Sequence, residues 1–199
     1  MKKLLVFLLS LFFLISPSVF ADDISDFQIE GISIGDSLLD YMTEDEILEE
    51  IELNKDMYSF IKEPNKYAEI YTDKNLQTYD YIAVFIKNNS IQNYVTNKNE
   101  EYTILSIRGV IHYQDNFESC IPKRDGINKD LSRVFPDLQK EESVFEHTSY
   151  PGSNIDQVEF IFDSGARFVT SCRDFLNRSN ELNFVIRSNE IQEWLSDHK

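Results

Sequence analysis

Several residue types are scarce in this 199-residue sequence, and each shortage excludes a class of protein. Two cysteines are too few for a disulfide-rich scaffold, and six glycines with five prolines are too few for a collagen-like or low-complexity chain. The hydrophobic fraction, 42%, is too high for an intrinsically disordered chain. These limits leave a folded domain with an apolar core.

Basic residues are also scarce, with 19 Lys and Arg against 35 Asp and Glu, so the net charge is −16. No basic cluster is denser than Lys123-Arg124, and Asp125 follows it directly. Because an acidic surface repels phosphate backbones and anionic headgroups, we expect no nucleic-acid partner. The acidity is explained by solubility, and binding of calcium or a cationic ligand is the alternative.

A long apolar run occurs only at the N-terminus, within residues 1–21. The marks of a signal peptide follow one another there: Lys2 and Lys3, the apolar run 4–15, Pro17, and Val19 and Ala21 before the cleavage point. Cleavage would remove two lysines, leaving Asp22 first and a net charge of −18. The alternative is an uncleaved anchor, but the run is shorter than the roughly 20 residues that span a bilayer. We therefore expect a periplasmic or secreted protein with no stable membrane insertion after cleavage.

Cys120 and Cys172 are the two cysteines of the chain. In an oxidising compartment, an even pair in a small domain is most simply a disulfide. A zinc site or a reactive thiol is the functional alternative, but no second Cys or His pair accompanies His112 near Cys120. The sequence predicts a disulfide, no metal site and no cofactor.

The apolar pattern predicts an α+β fold, an antiparallel sheet with two or three short helices packed on it, in a single domain over residues 22–199. The expected strands are Phe27–Ile34, Tyr67–Tyr71, Tyr79–Lys87, Tyr102–Tyr113, Val158–Phe162, Ala166–Arg173 and Leu182–Arg187. Three helices are expected. The first follows a capping box at Thr43–Glu46, the second covers Gly126–Phe135, and the third begins after Ser188, its N-cap. Residues 137–157 are polar and predict a loop.

Residues 34–38, Ile-Gly-Asp-Ser-Leu, lie at a strand-to-helix turn and resemble the opening block of the GDSL (SGNH) hydrolases. That resemblance implies an exported esterase in which Ser37 is the nucleophile and His198 the base. The family's later glycine and Gly-x-Asn-Asp blocks have no counterpart, and the residue three before His198 is Leu195 rather than Asp. The simpler interpretation is that Gly35 and Asp36 turn and cap the following segment.

Residues 160–166, Phe-Ile-Phe-Asp-Ser-Gly-Ala, resemble the active-site strand of retroviral-type aspartic proteases. On that resemblance Asp163 would pair with its copy across a dimer. None of the 34 residues after Gly165 is a glycine, although that fold needs a later one. Asp163-Ser164-Gly165 is more simply a hairpin turn with glycine in the left-handed position.

Residues 31–41, from Gly31 to Tyr41, are also similar to the start of small exported bacterial proteins to which no activity is assigned. The sequence assembles no nucleophile, base and oxyanion donor. We therefore expect a binding or accessory module without catalysis, whose partner is an unidentified ligand or envelope protein. The alternative is a divergent serine esterase using Ser37.

Overall fold

The computed structural model describes residues 24–55, 66–88, 102–113 and 117–197, so the predicted signal peptide lies outside it. The strands within these ranges are β1 Gln28–Ile29, β2 Ile32–Ser33, β3 Tyr67–Thr72, β4 Tyr81–Lys87, β5 Ile104–Tyr113, β6 Gln139–Glu146, β7 Asn154–Ile161, β8 Arg167–Asp174 and β9 Asn180–Arg187. The α-helices are α1 Glu44–Asn54, α2 Phe117–Val134 and α3 Asn189–Asp197. No described helix is long and apolar enough to cross a bilayer.

Seven strands form one sheet in the order β3-β4-β5-β9-β8-β7-β6, and every neighbouring pair is antiparallel. The strands β1 and β2 form a separate two-stranded hairpin. With three helices beside the sheet, the predicted α+β class is confirmed.

One face of the sheet forms the hydrophobic core. A row of successive cross-strand partners runs over six strands, and all its members are at most 1% exposed: Ile70, Val84, Ile107, Ile186, Phe168 and Phe160. The helix α2 packs on this face, where Thr170 donates a hydrogen bond to Asn128 Oδ1 at 2.6 Å. Because side chains alternate along a strand, the neighbours of these core residues point to the opposite face.

Cys120 of α2 and Cys172 of β8 form a disulfide, with their Sγ atoms 2.00 Å apart. Both residues are fully buried and pack with Leu182 of β9. The bond therefore fastens the helix to the middle of the sheet.

Two predicted elements have different bounds in the structure. The expected strand Phe27–Ile34 is a hairpin instead, because Glu30 and Gly31 adopt φ values of 52° and 81° and reverse the chain. The helix expected from Gly126 begins at Phe117, and Pro122 lies within it. Pro122 is the sixth residue of the helix, so its missing N–H removes one i→i−4 hydrogen bond and the helix continues past it.

The prediction of a loop over residues 137–157 was wrong. Most of it is strand: β6 covers Gln139–Glu146 and pairs residue by residue with β7, which begins at Asn154. Every residue of β6 is exposed, so the strand has no buried side whose apolar residues would alternate with polar ones. Backbone pairing at the sheet edge, rather than burial, defines it.

The turn at Asp163-Ser164-Gly165 joins β7 to β8 as expected, with Gly165 at φ 84° and its N–H donating to the Phe162 carbonyl at 2.8 Å. Ser188 precedes α3 and its carbonyl accepts from Gln192 N, but its hydroxyl is buried without a hydrogen-bond partner in the described structure. The predicted side-chain cap is therefore not formed there.

Candidate functional site

The sheet face opposite the core carries most of the protein's arginines. Of seven in the sequence, four project from this face, and Arg178 lies beside it in the turn between β8 and β9. We define the arginine face as these four arginines and the glutamates that pair with them: Arg108, Arg167, Arg173, Arg187, Glu69, Glu159 and Glu181. In a chain of net charge −16, this concentration of positive charge stands apart from the rest of the surface.

The register of the sheet brings these residues together. Ile186 and Phe168 are partners on the core side, so the adjacent partners Arg187 and Arg167 face the other way, directly opposite each other. Ser106 of β5 is the partner of Arg187 on its other side, and Arg108 lies two residues along from Ser106. Like charges in directly opposite positions of a sheet are destabilising, so this arrangement opposes folding.

The three glutamates neutralise part of the cluster. Glu69 accepts from Arg108 Nη2 at 3.1 Å and from the Tyr71 hydroxyl at 2.9 Å. Glu159 pairs with Arg167 at 2.5 Å.

Glu181, only 1% exposed, accepts from Arg178 at 2.6 Å and lies 3.8 Å from Arg173. Each carboxylate of the arginine face is therefore already engaged by at least one guanidinium.

Arg187 is the exception among the arginines of this face. Within the described ranges it forms no ion pair, and its Nη1 donates to Gln192 Oε1 at 2.9 Å. Its Nε is buried without a hydrogen-bond partner, a feature that it shares with Arg167. Its pKa falls to about 10, first because burial disfavours the charged form and then because neighbouring arginines repel it, while Glu159 opposes the shift. The side chain therefore stays cationic at neutral pH without an ion-pair partner in the described structure.

The residues that lie beneath the arginine side chains are small and apolar. Four small residues beneath the arginines are at most 5% exposed: Ala83, Val110, Val169 and Val185. The described helix on this side, α3, does not cover them, because it packs at one end of the face, on Tyr67 and Leu105. Long arginine side chains can bury small residues beneath their methylene stems. The charged heads then form the outer layer of this face.

Asn183 also has a buried atom without a hydrogen-bond partner in the described structure. It lies on β9 four residues before Arg187, between Val110 and Ser171, and is fully buried. Its Nδ2 donates to Glu181 at 3.4 Å, but its Oδ1 has no hydrogen-bond partner in the part of the chain the structure describes. A buried acceptor left unsatisfied costs about 1–3 kcal/mol, so such groups are uncommon without a function.

An aromatic cluster borders one end of the face. The Arg178 guanidinium lies over the Phe175 ring at 4.7 Å and the Tyr150 ring at 5.5 Å, beside a cavity of about 180 Å³. His147 contacts both rings, and burial followed by the charge of Arg173 lowers its pKa. This histidine is therefore mainly neutral at pH 7.

The structure places Ser37 as an N-cap. It precedes the 3-10 turn Leu38–Asp40, where its Oγ accepts from Leu39 N at 3.3 Å, and it pairs as a bridge with Thr103. His112 lies toward the far end of β5, nine residues or roughly 30 Å from Thr103 at 3.3 Å per residue. The predicted base, His198, lies outside the described residues.

Several acidic residues of α1 have structural partners. Thr43 and Glu46 form the predicted capping box, and Glu46 also accepts from Lys74 at 2.7 Å. Glu44 accepts from the Tyr102 hydroxyl at 2.9 Å, and Glu50 from Asn54. No group of three His, Cys, Asp or Glu suited to a metal ion occurs among the described residues.

The arginine face was not predicted from the sequence, although a signal for it exists. In two segments every second residue is mostly polar: Arg167, Val169, Ser171 and Arg173 in the first, and Glu181, Asn183, Val185 and Arg187 in the second. Only the strand register shows that they share one face. No family model, curated protein or solved structure matches the chain.

Proposed function

We propose that this protein is an exported binding module whose arginine face binds a small anionic ligand. The observation that carries the proposal is Arg187, a half-buried cation without an ion-pair partner in the described structure, surrounded by three further arginines. A carboxylate or phosphate group would supply a negative charge and accept from the Nη groups, as anionic oxygens do at guanidinium groups.

The arginine side chains leave room for solvent access. Those of Arg108, Arg167 and Arg173 remain 16%, 20% and 20% exposed, so their charged ends reach the surface while their stems are buried. Partial desolvation strengthens charge pairing relative to bulk water. The face therefore combines access with strong electrostatic attraction.

Binding suits the arrangement better than catalysis. Described residues of the arginine face include no serine or cysteine held by a histidine, and Ser37 lies elsewhere as a cap. The buried disulfide is compatible with a location outside the cytoplasm, which the N-terminal segment also favours.

The test is ligand-induced thermal stabilisation with acetate, phosphate and citrate at constant ionic strength. A ligand that binds only the folded state at a hundred times its Kd stabilises by about 2.7 kcal/mol. We expect at least one anion to raise the Tm of the wild type and to have little effect on Arg187→Met.

The matched control is Arg133→Met, because Arg133 is 77% exposed on α2 and pairs with Asp130. It should respond to anions as the wild type does. If sodium chloride stabilises the wild type as much as any of the three anions, the proposal is wrong.

The competing proposal is a serine esterase using Ser37. Stoichiometric labelling by a fluorophosphonate probe that disappears in Ser37→Ala would favour it. Absence of labelling, together with anion binding, would favour the binding module.

A further inference from the structure

A cavity of about 330 Å³ lies on the core side of the sheet, opposite the arginine face. Its walls are the β1-β2 hairpin, the turn Leu38–Asp40 with the start of α1, and the strands β3 and β4 with the residues that join them. Ile70 and Val84, two members of the buried core row, line it. The cavity is therefore separate from the anion site proposed above.

Apolar side chains form most of the cavity lining. Four of them belong to the core and are at most 1% exposed: Leu38, Ile70, Ile82 and Val84. Three others keep surface that solvent reaches, because Met42 and Leu76 are only partly buried and Tyr41 is 41% exposed. A ligand in the cavity can therefore pack on Tyr41, Met42 and Leu76 without displacing a core residue.

The volume of the cavity limits the size of the ligand. A protein cavity of about 150 Å³ holds one benzene ring, and small-molecule sites begin at about 300 Å³. At about 330 Å³, this cavity suits a body of about two fused rings or an alkyl chain of similar volume. The apolar lining makes burial of such a body favourable.

The polar part of the cavity lining includes two carboxylates and one ammonium group, those of Glu30, Glu46 and Lys74. Lys74 Nζ donates to Glu46 Oε1 at 2.7 Å, so these two charges compensate each other. Glu30 has no ion-pair partner among the described residues. Its carboxylate accepts instead from the backbone N–H groups of Gln77 and Thr78, at 3.1 and 2.8 Å. The lining therefore carries one negative charge outside an ion pair in this part of the chain.

Glu30 is ionised at neutral pH. Burial by itself would raise its pKa, but hydrogen bonds from the backbone N–H groups of Thr78 and Gln77 outweigh that effect and lower the pKa. These donors are neutral, so they fix the carboxylate at the cavity without removing its charge. A cation that entered the cavity would be attracted by Glu30.

The cation that suits this lining is organic rather than a metal ion. Calcium takes about six to eight oxygen ligands, whereas no group of three His, Cys, Asp or Glu suited to a metal occurs in the ranges that the structure describes. An ammonium group on an apolar body needs only one carboxylate, and the body packs on the apolar side chains. The net charge of −16 also attracts cations to the protein.

We infer that this cavity binds an amphipathic organic amine, with its apolar body on Tyr41, Met42 and Leu76 and its ammonium group beside Glu30. The inference goes beyond the proposed function, because it concerns a second site with a ligand of opposite charge.

The test is calorimetric titration of the purified, disulfide-bonded protein with tryptamine and with octylammonium at constant ionic strength. Each amine is compared with its neutral alcohol, tryptophol or 1-octanol, and methylammonium provides the charge without an apolar body. We expect at least one amine to bind about fivefold more tightly than its alcohol, as an ion pair close to solvent allows. It should bind about a hundredfold more tightly than methylammonium, because burial of the apolar body provides most of the free energy.

Two variants separate the charge from the apolar body. Glu30→Gln should remove the preference for the amine over its alcohol. Leu76→Trp should weaken both compounds about tenfold, because the larger side chain fills part of the cavity. The matched control is Glu141→Gln, which also removes one negative charge but lies on β6, at the opposite edge of the sheet from β3. It should leave the preference unchanged.

Because these substitutions can impair folding, the Met42 methyl resonance of the wild type provides a second readout. The protons of the bound amine should show nuclear Overhauser contacts to this methyl group. An amine held elsewhere on the acidic surface would show none.

Three outcomes would contradict the inference: no amine binds more tightly than its alcohol, the bound amine shows no contact to Met42, or Glu141→Gln lowers the preference as much as Glu30→Gln. None of them bears on the proposed function, because anion binding at Arg187 is measured with other ligands and another variant.

Discussion

Arg187 shows how a binding group opposes stability. Its guanidinium is desolvated, repelled by neighbouring arginines and without an ion-pair partner in the described structure, so its pKa falls to about 10 although Glu159 opposes the shift. The folded protein therefore holds this proton less tightly than the unfolded chain. The penalty is present at every pH below about 10 and is relieved only as the pH rises above that value.

We therefore expect Arg187→Met to raise the free energy of unfolding by about 1–3 kcal/mol at pH 7, because an apolar side chain of similar length removes the buried charge. Urea unfolding without ligand measures the change. The exposed variant Arg133→Met serves as control and should change stability by about 0.5 kcal/mol or less. Marked destabilisation by Arg187→Met would mean that an unrecognised interaction holds the guanidinium in place.

Two glycines give opposite predictions for one substitution. A Cβ on Gly109 in β5 would lie 2.4 Å from Tyr79 Cε1, whereas a Cβ on Gly126 in α2 would meet nothing within 4 Å. Gly109→Ala should lower the free energy of unfolding by about 1–3 kcal/mol through overpacking. Gly126→Ala should raise it by about 0.5–1 kcal/mol, because alanine favours a helix interior. Chemical denaturation of both variants checks the pair, and equal effects would contradict this packing.

The helix α1 is an element whose start was predictable from sequence alone. Thr43 and Glu46 form a reciprocal capping box, a local pattern that needs only four residues. The tertiary fold adds the hydrogen bond and ion pair to Lys74, 28 residues away. These contacts, Lys74 first and then Thr43, lower the pKa of Glu46 to about 2.

That shift gives α1 a pH dependence. A carboxylate whose pKa is lowered on folding contributes stability above the unfolded value of 4.5, and the contribution disappears as pH falls toward 2. Glu46→Gln should therefore lower the Tm at pH 6, and its difference from the wild type should vanish near pH 2. Glu49→Gln, on the same helix, controls for the loss of one negative charge. A difference that does not depend on pH would contradict the role of ionised Glu46.

The strand β6 is an element that sequence could not reveal. Its eight residues are all exposed, so polar and charged side chains occupy both of its sides. A strand that buries neither side has no period-two pattern, and only the adjacent strand β7 defines it. Charged residues are also the ordinary means of protecting an open sheet edge from other chains.

The whole molecule depends on the attachment of α2 to the sheet. The disulfide between Cys120 and Cys172 closes a sequence separation of 52 residues and joins the helix to β8. In the chain-entropy model a crosslink of this span stabilises the fold by about 4 kcal/mol. We expect the double variant Cys120→Ala/Cys172→Ala to lose about that much in urea unfolding.

Reductant provides the control for the disulfide. It should destabilise the wild type and have no further effect on the double variant, which has no sulfur-sulfur bond to lose. Equal stability of oxidised wild type and double variant would show that packing around α2, rather than the crosslink, holds the helix.

Short-range patterns in the sequence were enough for the α+β class, the capping box of α1 and the turn before Gly165, because each depends on residues close together in the chain. The pairing of Cys120 with Cys172 followed from there being only two cysteines. The arginine face depends instead on the strand order, which places β5 beside β9 and β9 beside β8, so that Arg108, Arg187 and Arg167 meet from distant parts of the chain. A charge is compensated or uncompensated only by what surrounds it in space, and for that reason the candidate site was decided by the tertiary structure.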